Sequence, residues 1–216
     1  MVAIGDASWI HGEWVLVIRD AHRKENVYAR ILSSETTFAY QEARRELAAQ
    51  GIHFSAFVGD GRLATSFVFS DIPVQMCHFH QLQIAVRYLT RNPELPAGIK
   101  LLELVQTLAH TDKESFLDAF KPWCATWSDF LKEKTVNPET GKSVYKHRRL
   151  RSARTSIVEH ADHPFKFQDY PDLHIPNTTN SLDGYFKKVK LALGVHAGLS
   201  REHKHKLVLS LIFARE

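Results

Sequence analysis

The apolar positions of the first eighty residues fall in short blocks separated by turn residues. Val2-Ala3-Ile4-Gly5 is an apolar run at the extreme start. Trp14-Val15-Leu16-Val17-Ile18 is continuous, the pattern of a strand buried on both faces. Val27 to Leu32 reads as a third strand. Ser33-Ser34-Glu35 opens a helix with hydroxyl caps, and Gly51 closes it. His53 to Val58 alternates in part and ends in Gly59-Asp60-Gly61, a turn signal. A short helix is predicted from Arg62 to Phe69 and a strand at Val74-Gln75-Met76-Cys77. The predicted order is β-β-β-α-β-α-β.

Beyond about residue 80 the period changes to helical. Leu82, Ala85, Val86 and Leu89 share a face, as do Leu101, Leu104, Val105 and Leu108. Thr111-Asp112-Lys113-Glu114 matches a capping box, and Phe116, Phe120, Trp123, Trp127 and Phe130 continue the apolar stripe behind it. Pro122 is expected to interrupt that helix or begin a new turn. Residues 137–141 read as a loop, 145–159 as a basic helix and 164–176 as an irregular connection. Two helices follow, near 178–193 and 200–214, separated by Gly194 and Gly198. No internal repeat is visible.

Of the 216 residues, 44% are hydrophobic and 24% charged, which excludes a disordered or low-complexity chain. No apolar stretch reaches the length of a membrane span, and the start lacks the basic and apolar regions of a signal peptide. Cys77 and Cys124 make no disulfide framework, so a reducing cytoplasm is the default expectation. Charge is unevenly spread. Residues 142–216 hold 14 Lys and Arg against 7 Asp and Glu, net +7, whereas residues 1–141 hold 14 against 17, net −3. A basic C-terminal third points to a polyanionic partner, nucleic acid first, or else to a solubilising surface.

Asp6 and Asp60 each directly follow a predicted strand. Acids just past the ends of neighbouring strands can converge, and converging carboxylates repel unless a cation lies between them. Oxygen-only donors favour Mg²⁺ or Mn²⁺. Both segments are also good turn sequences. A third acid lies on the helix near 178–193, where Asn180, Asp183, Lys187 and Lys190 form one polar stripe opposite Leu182, Tyr185, Phe186, Val189 and Leu193. That stripe suits a metal ligand beside a phosphate backbone; its plain alternative is an exposed Asp183–Lys187 pair. Cys77 and His80 have the spacing of half a zinc site, but no second half is visible. A buried Cys77 with His80 near the acids is the expectation that remains.

Four segments together resemble the DDE/D transposases of bacterial insertion sequences, in the Mutator-like branch. Gly5-Asp6-Ala7-Ser8-Trp9 is similar to the first-acid strand and Phe57-Val58-Gly59-Asp60-Gly61 to the second. Residues 73–81 contain the Cys-x-x-His signature, and residues 175–184 resemble the third-acid helix, followed by Val195-His196-Ala197-Gly198-Leu199. The resemblance implies an α/β fold: an RNase H-like mixed sheet with flanking helices, interrupted by an all-helical insertion. It divides the chain into 1–81 (core, first part), 82–160 (insertion) and 161–216 (core, C-terminal helices). Asp60 and Asp183 are 123 positions apart, which accommodates that insertion. Many relatives carry Glu as the third acid, where this chain has Asp183.

The implied activity is DNA strand cleavage and strand transfer, with two Mg²⁺ (or Mn²⁺) ions held by Asp6, Asp60 and Asp183. Cys77, His80 and Asn180 would support the site. Lys187, Lys190, Arg148, Arg149, Arg151 and His196 would hold DNA. The implied partners are double-stranded DNA and further copies of the chain on that DNA, with no membrane, in the nucleoid-associated cytoplasm of a prokaryote. The first acid lies so close to the start that the chain is expected to be a core fragment or truncated copy, without the N-terminal DNA-binding region and with its first strand barely present. The alternatives are an RNase H-like nuclease without strand transfer and an inactive DNA-binding remnant.

Overall fold

The computed structural model describes residues 1–196 and 198–214, with the side chain of Leu63 excepted. Five strands form one mixed sheet: β1 (Val2–Ile10), β2 (Glu13–Asp20), β3 (Asn26–Leu32), β4 (Ala56–Gly59) and β5 (Val74–Met76), in the order β3-β2-β1-β4-β5. β1 and β3 run antiparallel to β2, and β4 runs parallel to both β1 and β5. Helices α1 (Thr37–Ala49) and α2 (Leu63–Val68) connect the strands in the expected order.

Strand period explains the continuous apolar runs. Val2, Ile4, Val15, Val17, Ala56 and Val58 face helices α9 (Asn180–Val195) and α10 (Arg201–Phe213). Ala3, Leu16, Ile18 and Phe57 face the opposite side, where α1 contributes Ala39, Tyr40, Ala43 and Leu47. The sheet is therefore sandwiched between helices, in a mixed α/β architecture.

β1 is nine residues long, not a remnant. Its first strand signal is longer than the apolar run because Asp6 and Ser8 lie within it, on the α9 face, and break the hydrophobic pattern. Asp6 is thus mid-strand, a correction to its expected place just past a strand end.

Between β5 and α9 the chain builds a second, helical cluster from α3 (His78–Leu89), α4 (Pro96–Gln106), α5 (Lys113–Thr126), α6 (Ser128–Lys132) and α7 (Arg148–Glu159). Ala85, Leu101, Phe116, Trp123, Leu150, Ile157 and Phe165 belong to its core. Helix α5 runs through Pro122 without ending; burial of Phe116, Phe120 and Trp123 on either side outweighs the lost amide donor. Its cap is Asp112, which accepts from the Ser115 amide at 2.8 Å. The basic helix begins at Arg148, not Tyr145, because β6 (Lys134–Val136) and β7 (Ser143–Tyr145) form a short hairpin around the predicted loop.

Gln75 joins the cluster to the sheet. It is fully buried, and its amide donates to Pro164 O at 2.7 Å while its carbonyl accepts from Phe167 N at 2.9 Å. These bonds lay 163–169, which include α8 (Lys166–Asp169), over the β5 edge and so cover an otherwise open strand. No described helix is long and apolar enough to cross a membrane.

Candidate acidic site

The register of the sheet aligns two of the three acids. Ile4 pairs with Val58 across the parallel β1–β4 ladder, so Asp6 and Asp60, each two residues further on, lie level. Gly59 pairs with Met76 on β5, which places Cys77 level with Asp60. The Cys77 amide donates to Gly59 O at 2.8 Å. Three adjacent strands therefore deliver Asp6, Asp60 and Cys77 along one line.

Small residues make this approach possible. A Cβ at Gly5 would sit 2.6 Å from the Phe57 ring, which stacks on Phe69 at 3.9 Å between centroids. Gly61 holds φ at +85°, and a Cβ there would meet Met76 at 2.5 Å.

Helix α9 supplies the third acid through Thr179, which is fully buried. Its hydroxyl donates to Asp183 Oδ2 at 3.0 Å, and both its amide and its hydroxyl lie on Cys77 Sγ, at 3.3 and 3.4 Å. Asn177 O accepts from the His78 amide at 2.9 Å and fastens the same segment to the start of α3. Leu182, Tyr185, Phe186, Val189 and Leu193 dock α9 on the sheet. Asp183 is thus fixed by a buried threonine, not by the Lys187 pair considered above.

These groups act on one another electrostatically. Burial raises the Asp6 carboxyl to about 7; His80 pulls it back, while Asp183 and Asp60 push it further up. Asp6 accepts one hydrogen bond, from Ala7 N at 2.9 Å, and has no ion-pair partner among the described residues. Burial alone would lower His80, but the Cys77 sulfur, Asp6 and Asp183 raise it to about 9. Burial likewise raises the Cys77 thiol, yet hydrogen bonding to His80 and Thr179 brings it below its ordinary value. The expectation of a buried Cys77 with His80 near the acids matches this arrangement.

Two charged residues that the sequence reading places only at helix starts, Glu35 and Arg62, adjoin the acids. Asp60 Oδ1 accepts from the Arg62 amide at 3.0 Å, and Oδ2 faces Arg62 Nε at 2.8 Å. Arg62 also reaches Glu35 Oε2 at 2.7 Å, and the Tyr40 hydroxyl donates to Glu35 Oε1 at 2.9 Å. Burial raises the Glu35 carboxyl, opposed by Tyr40 and Arg62. Burial also drives the Tyr40 hydroxyl well up, reinforced by Glu35, Asp6 and Asp60. Glu35 carries no pattern that would mark it, since Thr36 caps α1 immediately after it. Arg62 could have been suspected from its position two residues after Asp60, where an aspartate commonly turns the chain onto its own amide.

The donor set is all carboxylate oxygen, which suits a hard divalent cation, and Asp6 and Asp183 are the acids not neutralised by arginine. Among the described residues no three His, Cys, Asp or Glu side chains are grouped to hold a metal ion as they stand. Both oxygens of Asp60 are engaged by Arg62.

The remaining candidates fall into two groups. Asn180, Lys187 and Lys190 are exposed along α9, and His196 is exposed in the turn after it. Ala197 of the following motif lies outside the described residues. Arg148 is exposed, but Arg149 and Arg151 work within the protein. Arg149 donates to Tyr88 O and Arg87 O at 2.9 and 2.7 Å, capping the end of α3, and Arg151 donates to Leu131 O at 2.9 Å and lies 3.6 Å from the Tyr145 ring centroid. Two acids in the connection before α9 are paired with lysines: Asp162 with Lys113 and Asp169 with Lys166. No protein-family model matches the chain, and no curated protein matches it.

Proposed function

We propose that the chain is the catalytic core of a DNA-cleaving and strand-joining enzyme of the RNase H-like transposase type, acting with Mg²⁺ or Mn²⁺. The observation that carries this reading is the approach of Asp6, Asp60 and Asp183 from two neighbouring strands and one docked helix, with the Asp6 carboxyl raised to about 7 first by burial and then by Asp183 and Asp60. A mixed sheet with helices on both faces, interrupted by a separate helical cluster between the second and third acids, is the layout this reading expects. Asp6, Asp60 and Asp183 would hold the metal, which supplies charge neutralisation at a scissile phosphate and an activated oxygen nucleophile.

The chain's own residues have separate tasks. Thr179 fixes the Asp183 carboxylate, and His80 supplies positive charge beside Asp6. Arg62 is shared between Asp60 and Glu35 and must release Asp60 before that acid can ligate. Lys187 and Lys190, exposed one and two turns beyond Asp183, offer phosphate contacts that give affinity without sequence choice. The Arg62 contact favours the rival reading of a chain that binds DNA without cutting it.

Nicking of supercoiled DNA by the purified chain tests the proposal. Nicking that requires Mg²⁺ or Mn²⁺ and disappears in Asp183→Asn supports it, and joining of a 3′-hydroxyl end to a second duplex distinguishes a transposase from a nuclease. DNA binding without nicking under any divalent cation would overturn the enzymatic reading.

A further inference from the structure

Arg19, near the end of β2, is 4% exposed, which makes it one of the few buried charges in the protein. A buried charge ordinarily persists only with a counter-charge. Arg19 has no carboxylate partner among the described residues. Its Nη1 donates to Asn26 Oδ1 at 2.9 Å, its guanidinium lies 5.4 Å from the Tyr185 ring centroid, and its buried Nε has no hydrogen-bond partner among the described residues. The adjacent Asp20 does not serve, because its Oδ1 accepts the amides of His22 and Arg23, at 2.9 and 3.0 Å.

Arg19 lines a cavity of about 400 Å³ between the β2–β3 turn and the end of α10, shared with Arg23, Lys24, Glu25, Asn26 and Tyr185. The walls are set in advance. Lys24 N donates to Asp20 O and Asp20 N to Glu25 O, at 2.9 and 2.8 Å, and Lys24 adopts a left-handed φ of +56°. The Asn26 amide donates to Ile212 O at 2.8 Å, and the Tyr185 hydroxyl donates to Ile212 O at 2.9 Å. Among the described lining residues, three cationic side chains (Arg19, Arg23, Lys24) against one acid, Glu25, give a net +2.

From the orphaned guanidinium and this charge we infer that the cavity is a binding site for a dianionic phosphoryl group, a phosphomonoester or inorganic phosphate. A guanidinium offers paired donors to phosphate oxygens, and burial strengthens each of those bonds. The site uses none of the three acids, so it stands or falls separately from the proposed cleavage.

Titration calorimetry of the full chain with inorganic phosphate, at constant ionic strength, tests the inference. One saturable site is expected, and phosphate at tenfold its Kd should raise Tm by about 3–5 °C. Arg19→Met should weaken binding at least tenfold. Because that change touches the core, the exposed pair Arg23→Ser/Lys24→Asn provides the second variant, again with a loss of at least tenfold. Asp183→Asn should bind phosphate as the unaltered chain does. Two oligonucleotides, one 5′-phosphorylated and one 5′-hydroxyl, identify the source. Tighter binding of the phosphorylated strand than of inorganic phosphate assigns the site to a DNA end, and equal binding assigns it to a small phosphomonoester. Absence of saturable phosphate binding, or binding unchanged in both variants, would overturn the inference.

Discussion

Replacing Asp6 with Asn should stabilise the protein in the absence of metal, and the size of the effect follows from the site. The carboxyl rises from 3.8 to about 7 on folding, first through burial and then through Asp183 and Asp60. A shift of roughly 3 units is worth about 4 kcal/mol at 1.36 kcal/mol per unit, an upper bound at pH 8 where the unaltered group is ionised in both states. The sign is set by a folded value above the unfolded one. Stability is complete below about pH 4 and is lost as pH rises through about 7. Asparagine is nearly isosteric, retains an oxygen for the Ala7 amide and carries no charge to bury. Asp6→Asn should therefore flatten the pH dependence between 4 and 7 and raise Tm at pH 8 by about 10 °C. Denaturant and thermal unfolding of both forms from pH 4 to 8, in EDTA, measures this. An Asp6→Asn protein no more stable than the unaltered chain at pH 8, or with the same pH slope, would refute the shared acidic space.

Other outcomes follow from the same geometry. Gly5→Ala should cost about 1–3 kcal/mol, read as a lower denaturant midpoint, because its Cβ meets the Phe57 ring and Phe57 is already stacked on Phe69; an unchanged midpoint would contradict the packing. Thr179→Val should lower metal-dependent nicking more than tenfold with a smaller relative change in DNA affinity, since it releases both Asp183 and Cys77. Arg149→Ala should lower stability by about 1 kcal/mol through the two carbonyls it caps, leaving the salt dependence of DNA binding intact. Lys187→Gln/Lys190→Gln should instead flatten that dependence, each lost phosphate contact removing roughly one counterion; an unchanged slope would remove α9 from the DNA surface.

Most of the order of elements was legible because apolar runs and helical spacing mark burial directly. Val15 to Ile18 lies between two helical layers, and Leu182 to Leu193 docks on the sheet. The length of β1 was hidden because Asp6 and Ser8 interrupt its apolar run with polar side chains. The β6–β7 hairpin was missed because its short strands are largely exposed and give no alternation. Pro122 misled for the opposite reason, since large buried aromatics held the helix across it. At the site, the three acids could be picked out from their motifs, and so could Cys77 and His80. Thr179 acts through Asp183 four residues on and through Cys77 102 residues back, Arg62 through Asp60 two residues before it, and Glu35 through contacts with residues 5 and 27 positions away. No periodicity records such contacts. The same limit applies to Arg149 and Arg151, which as sequence read as part of a basic surface but in the fold tie helices together.

The account rests on Asp6, Asp60 and Asp183 acting as one divalent-cation site. Mn²⁺ binding to the purified chain, followed by electron paramagnetic resonance, tests this most directly when repeated on the single Asp→Asn variants at each position. The account predicts saturable binding by the unaltered chain and at least tenfold weaker binding in every one of the three variants. Binding that survives Asp183→Asn unchanged, or the absence of saturable binding by the unaltered chain, would contradict it.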